Sequence, residues 1–243
     1  MTSEIEWNKC IYKDCMNEEN GLPTLEDKSI DLCITDPPYN VEVAGTHRGG
    51  DSPLFNKKIR YFDNMPQNKY LDWCFKWFDE LKRICNIIIL TPGYRNFLDW
   101  IRKYNDLQFA IWYDKSKQGG CKIASFNKID PIIIWNLENQ RKQHKRLSWN
   151  IIEYIFRCNQ FNYGDFIHPC PKPLFLWYKI ISKIKPESVI DPFLGSGTTA
   201  EVCTKLGIKW LGYELNEVYS QDINKRLKNC KREPRQIDLE VFK

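Results

Sequence analysis

Asp36-Pro37-Pro38-Tyr39 places a carboxylate, a rigid backbone carbonyl and an aromatic face within one short turn. That set suits a planar amine: two acceptors take its two N–H groups and a ring stacks on its plane. Nucleobases carry such an amine. A second group, Asp191-Pro-Phe-Leu-Gly-Ser-Gly-Thr-Thr199, joins an acid to a glycine-rich turn. Gly195 and Gly197 let the backbone approach a ligand closely, with the N-terminus of a following helix facing it. About twenty residues on, Glu214 stands where an acid would hold a pair of ribose hydroxyls. On its own the glycine pattern fits a dinucleotide equally well. The chain has no Gly-Lys-Ser/Thr sequence, which removes the phosphate-loop ATPase reading.

These residues need elements to position them. The run 29–35 reads as a mostly buried strand, stopped at once by the prolines, so Asp36 arrives at a sheet edge. Open α/β sheets place their ligands there. Apolar segments at 9–13, 30–35, 86–91, 109–113, 130–135, 188–190 and 209–213 read as further strands. Helical spacing marks 69–84, 174–184, 198–206 and 218–230. Strands alternating with helices imply a mainly parallel sheet covered on both faces. The segments 109–113 and 130–135 have no obvious helix between them and predict an antiparallel hairpin at one edge. Two stretches fit no element. Residues 40–64 are polar and carry Gly45, Gly49 and Gly50, the mark of a mobile binding loop. Residues 136–167 mix a basic cluster with Trp149, Tyr154, Phe156, Phe161 and Tyr163.

At 243 residues one domain, 1–243, is the default. Hydrophobic content of 42% and aromatic content of 14% exclude a disordered chain. No apolar run is long enough to span a bilayer, and the opening Met-Thr-Ser-Glu-Ile-Glu-Trp lacks the apolar core of a secretion signal. A cytoplasmic protein without a membrane partner is expected. The ten cysteines include no Cys-x-x-Cys pair and the three histidines lie far apart, so reduced thiols and no metal are expected. The net charge of +5 is modest, but Arg141-Lys-Gln-His-Lys-Arg146 is compact, and Lys225, Arg226, Lys228, Lys231, Arg232 and Arg235 crowd the C-terminal stretch. Such runs are either phosphate contacts or plain solvated faces.

Taken together, the two motifs closely resemble those of the amino-group DNA methyltransferases that use S-adenosylmethionine, and the resemblance covers most of the chain. His168-Pro-Cys-Pro-Lys172-Pro173 is similar to the His-Pro-x-x-Lys-Pro segment these enzymes carry just before the second motif. Lys13-Asp14 resembles their Gly-Asp turn beside the cofactor adenine, with Lys13 replacing the glycine. The order of motifs is similar to the family's β arrangement, whose target-recognition region lies between them, at 136–167 here. The resemblance implies a Rossmann-like methyltransferase fold: a mainly parallel twisted sheet with an antiparallel edge hairpin and helices on both faces. The N-terminal strand and the strand ending at Glu214 should then share one side of the strand that feeds the glycine loop.

The same resemblance implies S-adenosylmethionine as cofactor and double-stranded DNA as partner, its target base flipped out of the stack. Asp36 and the Pro37 carbonyl, fixed by Pro38, accept hydrogen bonds from the amine and localise its lone pair. Asp36 also stabilises the positive charge that grows on nitrogen. Tyr39 stacks on the base, worth about 1–3 kcal/mol. The cofactor set is Asp14, Asp36, His168, Lys172, Asp191, Phe193, Gly195, Ser196, Gly197, Thr198, Thr199 and Glu214. Within it Phe193 packs on the methionine part and Glu214 takes the ribose hydroxyls. Asp191 meets the ammonium, and Thr198 or Thr199 the carboxylate. His47, Arg48, Lys57, Lys58 and Arg60 close over the site or fill the gap in the stack. Arg141, Lys142, Lys145 and Arg146 hold phosphates. Family members with Asp at the first motif position mostly methylate adenine N6. The alternatives are cytosine N4, which also presents an amine beside a ring nitrogen, and an RNA or protein-amide methyltransferase, whose usual residue at position 36 is Asn. A nucleotide-binding oxidoreductase would leave the 36–39 motif unexplained, and a non-catalytic DNA-binding module would share the basic patches. A cognate restriction endonuclease is an expected partner, and the protein is expected to be a monomer or homodimer.

Overall fold

The computed structural model describes residues 5–40, 65–113, 129–137, 167–168, 171–228 and 230. The loop positions His47, Arg48, Lys57, Lys58 and Arg60 lie outside the described residues, as do Arg141, Lys142, Lys145 and Arg146 and nearly all of 136–167. Among the described residues, strands β1 (Lys9–Ile11), β2 (Ile30–Thr35), β3 (Cys85–Leu90), β4 (Leu107–Tyr113), β5 (Ile129–Trp135), β6 (Ser188–Asp191) and β7 (Lys209–Tyr213) form one sheet. Its order is β1-β7-β6-β2-β3-β5-β4. Every pairing is parallel except those of β5, which runs against both β3 and β4. The mainly parallel sheet with its antiparallel edge hairpin is therefore present. β1 and β7 lie on the same side of β6, as the motif order implies.

The strand sequences explain the layering. β2 and β3 read Ile-Asp-Leu-Cys-Ile-Thr and Cys-Asn-Ile-Ile-Ile-Leu, near-continuous apolar runs of the kind a strand covered on both faces requires. Helix α1 (Gln67–Ile84) buries Tyr70, Cys74, Trp77, Phe78, Leu81 and Ile84 at three- and four-residue spacing and runs straight into β3. With α2 (Phe97–Lys103), which contributes Trp100, it covers one face. Helices α3 (Leu174–Ile184), α4 (Thr198–Leu206) and α5 (Ser220–Lys228) cover the other, where Trp177, Ile180, Ile181, Val202 and Ile223 join the core. Among these described residues no helix is long and apolar enough to cross a membrane.

Two details correct the sequence reading. The short helix α2 sits in a stretch with no predicted element, and β4 begins at Leu107 rather than at 109. Pro131 lies inside β5, yet it pairs only with Ile111 of β4, because β3 pairing with β5 ends at Leu90 and Ile133. A proline is tolerated where one side of the strand has no ladder to complete.

The sheet reverses its order of construction at β6 and β2. From β6 the chain winds outward to β7, and from β2 it winds the other way to β3. In such sheets the crevice outside the carboxyl ends of the two central strands is the ligand site. Asp36 follows directly on β2 and Asp191 ends β6, and the Thr35 hydroxyl donates to Asp191 Oδ1 at 2.7 Å.

Candidate active site

Asp191 organises the turn after β6. Its Oδ1 accepts from the Thr35 hydroxyl and from the Phe193 N–H at 3.0 Å, and its Oδ2 from the Thr199 hydroxyl at 2.5 Å. Burial pushes its pKa up to about 6 against these three donors, and the charge of Asp36 adds to the rise. The turn passes Phe193, whose ring lies edge-on to Trp73 and Trp77 at centroid distances of 5.5 and 5.1 Å. Gly195 and Gly197 then take φ of +53° and +83°, the left-handed region that a side chain resists. A Cβ at Gly195 would stand 2.9 Å from His168 Nε2. From the end of β7, Glu214 reaches the loop: Oε2 accepts from Gly195 N–H and Oε1 from Asn216 N–H, both at 2.8 Å. Burial raises the Glu214 pKa above its ordinary value. Each of its oxygens keeps a further lone pair, so the carboxylate still has acceptor capacity for a diol.

The turn after β2 is held from three sides. Asp36 Oδ1 accepts from Lys172 Nζ at 2.8 Å, and from the hydroxyls of Tyr39 and Thr91. Tyr70 donates to the Pro38 carbonyl at 2.7 Å, and Asn96 Nδ2 to the Tyr39 carbonyl at 2.8 Å. Gly93, with φ of +71°, lies so close that a Cβ there would meet Tyr39 Cγ at 2.8 Å. Lys172 Nζ also donates to the Tyr39 hydroxyl at 2.9 Å and sits 5.2 Å above the Tyr39 ring. Burial works against the lysine charge, but Asp36 and Tyr39 outweigh it and hold the pKa well above the ordinary value. Burial, helped by Asp36, pushes the Tyr39 hydroxyl up as well, so it stays protonated and donates.

The two motifs meet. Asp36, His168, Lys172, Asp191, Phe193, Gly195, Ser196, Thr198 and Thr199 line one open pocket, together with Pro171, Trp177 and Leu194. α4 starts at Thr198 on its wall, and the Thr198 hydroxyl donates to the Lys172 carbonyl at 3.2 Å. Lys172, expected at the cofactor, thus lines the pocket and at the same time pairs with Asp36. His168 is held by burial at a pKa lowered to about 4, against the pull of Asp36 and Asp222, and is neutral at pH 7.

Asp14 is not brought to the pocket: it is exposed, and its Oδ1 accepts from the Met16 N–H at 2.9 Å in a local turn after β1. The sequence reading did not pick out Thr35, Thr91, Asn96 or Trp73. Thr91 carried a usable signal, because it follows the apolar β3 just as Thr35 ends the neighbouring β2. Asn40 also gains a role: its Oδ1 accepts from Met65 N–H at 2.8 Å and its Nδ2 donates to the Met65 carbonyl at 2.9 Å, stapling the described ends of the 40–64 loop.

The residues fit an S-adenosyl ligand on the geometry of the cradle. Gly195, with no Cβ, faces His168, with buried Asp191 before the loop, the N-terminus of α4 after it and Glu214 bonded to the Gly195 N–H. Among the described residues no cluster of His, Cys, Asp or Glu could hold a metal ion. Comparison with known proteins agrees with this geometry. The family described as N6/N4 DNA methylase matches residues 86–225. Type II methyltransferase M.HpaI of Haemophilus parainfluenzae is 28% identical over 244 aligned positions, covering 88% of this chain and 73% of that protein. Type II methyltransferase M.HinfI of Haemophilus influenzae is 27% identical over 260 positions, covering 96% and 71%. Among solved structures, the M1.HpyAVI–SAM complex superposes with a TM-score of 0.57 at 20% identity, over 90% of this chain and 98% of that one.

Proposed function

The chain belongs to the N6/N4 DNA methylase family, and we propose that it moves a methyl group from S-adenosylmethionine to the N6 amine of a flipped adenine in double-stranded DNA. The observation that carries this reading is the shared pocket: Asp36 and Asp191, from motifs far apart in the chain, stand at neighbouring strand ends and line one opening. S-adenosylmethionine supplies the electrophile, a methyl carbon on a sulfonium. Asp36 accepts an amine N–H, with the Pro37 carbonyl as second acceptor, and draws the nitrogen lone pair out of the ring. As nitrogen becomes positive, the same carboxylate stabilises it. Asp36 has no need to act as a strong base, because the methylated ammonium is acidic and releases its proton to water. Tyr39 offers its ring to the base, its carbonyl anchored by Asn96.

At the cofactor end, Asp191 takes the amino-acid ammonium and Glu214 the ribose hydroxyls. Phe193 packs on the methionine stem, and Thr198 and Thr199 at the start of α4 take the carboxylate, where the helix N-terminus favours an anion. His168, Lys172, Gly195, Ser196 and Gly197 complete the wall. The whole of 1–243 acts as one catalytic domain. Residues 40–64, with His47, Arg48, Lys57 and Lys58, serve the DNA contact, and 136–167 serves target recognition, where Arg141, Lys142, Lys145 and Arg146 hold phosphates. Support comes from the chain's course: Tyr39 and His168, beside these two segments, both belong to the site.

Asp at position 36 favours adenine N6, the usual target of family members with that residue; cytosine N4 is the second reading, since the same acceptors fit its amine. The Type II designation of the two Haemophilus relatives supports a place in restriction–modification, beside a cognate endonuclease. Expression in a methylation-deficient host, followed by mass spectrometry of genomic nucleosides, tests the proposal. N6-methyladenine is the expected product, N4-methylcytosine would move the target to the other base, and neither mark would refute DNA methylation. Asp36→Ala should erase the mark while S-adenosylhomocysteine still binds.

A further inference from the structure

We propose that Asp222, on α5 and outside every motif, is a positioning residue that sets cofactor affinity by fixing His168 against the glycine loop, an inference resting on the cofactor assignment above. Asp222 is only 2% exposed. A carboxylate so buried is tolerated when donors meet it. It has two, on consecutive residues: Ile167 N–H donates to Oδ1 at 3.0 Å and His168 N–H to Oδ2 at 2.8 Å. Successive N–H groups converging on one anion fix the peptide plane between them as well as its position. The charge-assisted bonds are stronger than neutral ones of the same length.

What that peptide carries is the imidazole on the pocket wall. Tyr219, just before α5, places its ring edge-on to His168 at 4.6 Å between centroids. Gly195 also packs on this ring, close enough that a Cβ there would come to 2.9 Å from Nε2. His168 is thus set between the α5 region and the loop, with its backbone tied to the former. The same helix reaches the loop directly. Arg226, one turn beyond Asp222, donates to Glu201 Oε2 at 2.5 Å and to Ser196 Oγ at 3.4 Å. Ile223 Cγ1 would be 3.0 Å from a Cβ on Gly197. One buried helix face therefore holds both walls of the cradle in register. Asp222 is the part of it that acts on the wall contributed from across the chain, 54 residues away.

The test is calorimetric titration of the full chain with S-adenosylhomocysteine for wild type, Asp222→Asn, His168→Ala and the double variant. The amide keeps one acceptor and turns its NH₂ towards the other N–H, so one charge-assisted bond is lost and a donor clash replaces it. Asp222→Asn should weaken binding about tenfold or more, the scale of a lost bond to a charged group. If Asp222 acts through His168, the double variant should bind no more weakly than the worse single variant. Asp222→Glu, which keeps both acceptors one methylene further out, should lose less than Asp222→Asn and serves if the latter does not fold. Additive losses overturn the proposal, as does an Asp222→Asn protein with a lowered melting temperature and unchanged affinity. A greater loss for Glu than for Asn overturns it too. A wild type that binds no S-adenosylhomocysteine would instead overturn the cofactor assignment, and this inference with it.

Discussion

Asp191→Asn tests whether the acid at the end of β6 is kept for its ligand at the expense of the fold. Asp191 is 3% exposed, and burial lifts its pKa to about 6 even though three donors reach it. An Asp in an unfolded chain titrates near 4, on the order of two units lower. A group whose folded pKa is raised contributes its full stability below the unfolded value and loses it as pH climbs through the folded one. The window here runs from roughly pH 4 to pH 6. At 1.36 kcal/mol per unit the loss is about 3 kcal/mol, complete by pH 8. An amide escapes it. Its oxygen can accept from Thr35 and Phe193 as before, while its NH₂ donates to the Thr199 hydroxyl, which can turn to accept. Asp191→Asn should therefore be more stable than wild type at pH 8 by about 2–3 kcal/mol, a rise of about 4–12 °C in melting temperature for a domain of this size. The gap should nearly close at pH 4. Paired urea titrations at pH 4, 6 and 8 measure it, and calorimetry with S-adenosylhomocysteine should show at least a tenfold loss of affinity in the same variant. A variant less stable at pH 8, or a gap that does not change with pH, would refute the reasoning.

The two glycines that face side chains should separate the halves of the site. Gly195→Ala puts a Cβ against His168 and forces a left-handed alanine, costing about 1–2 kcal/mol for the backbone alone; S-adenosylhomocysteine affinity and melting temperature should both fall. Gly93→Ala pushes on the Tyr39 ring instead, so kcat should drop while S-adenosylhomocysteine binding is kept, as calorimetry beside a methyl-transfer assay would show. Lys172→Met breaks an ion pair whose side chains are 16% and 22% exposed, and should cost about 2–3 kcal/mol in urea, below the 3–5 kcal/mol of a fully buried pair. Because the Lys172 pKa is raised, its contribution is complete below the unfolded value near 10.4 and is lost as pH climbs from there through the folded one, so the deficit should stay constant from pH 7 to about pH 10.

Much of the frame was legible because local pattern and tertiary role coincide. The run from Ile30 to Thr35 has one environment, the sheet interior, and prolines at 37 and 38 fix where it ends. The same holds for β6, where Gly195 and Gly197 just beyond it announce the turn that follows. Helix α2 was missed because it is seven residues long and packs mainly through Trp100, too few positions to show a period. Thr91 and Asn96 escaped notice because their partners, Asp36 and the Tyr39 carbonyl, lie 55 and 57 residues away. Lys172 was legible as a site residue but not as the partner of Asp36: only the parallel pairing of β2 with β6 brings them together. Asp14 shows the opposite case. A turn-forming acid after the first strand is visible in sequence, but its side chain satisfies the turn itself.

The pairing of Lys9 with Leu211, of Cys10 with Gly212 and of Ile11 with Tyr213 also governs how the molecule is born. As the chain leaves the ribosome, β1 waits for a partner some two hundred residues behind it, and β2 can zip to β3 while its other flank stays bare until β6 arrives. Such high contact order slows folding and leaves a sticky strand edge exposed during synthesis. The insertion of β6 closes that edge and, in the same step, brings Asp191 beside Thr35. A nascent fragment therefore has no working catalytic centre, and chemistry on the genome begins only once the protein is fully assembled.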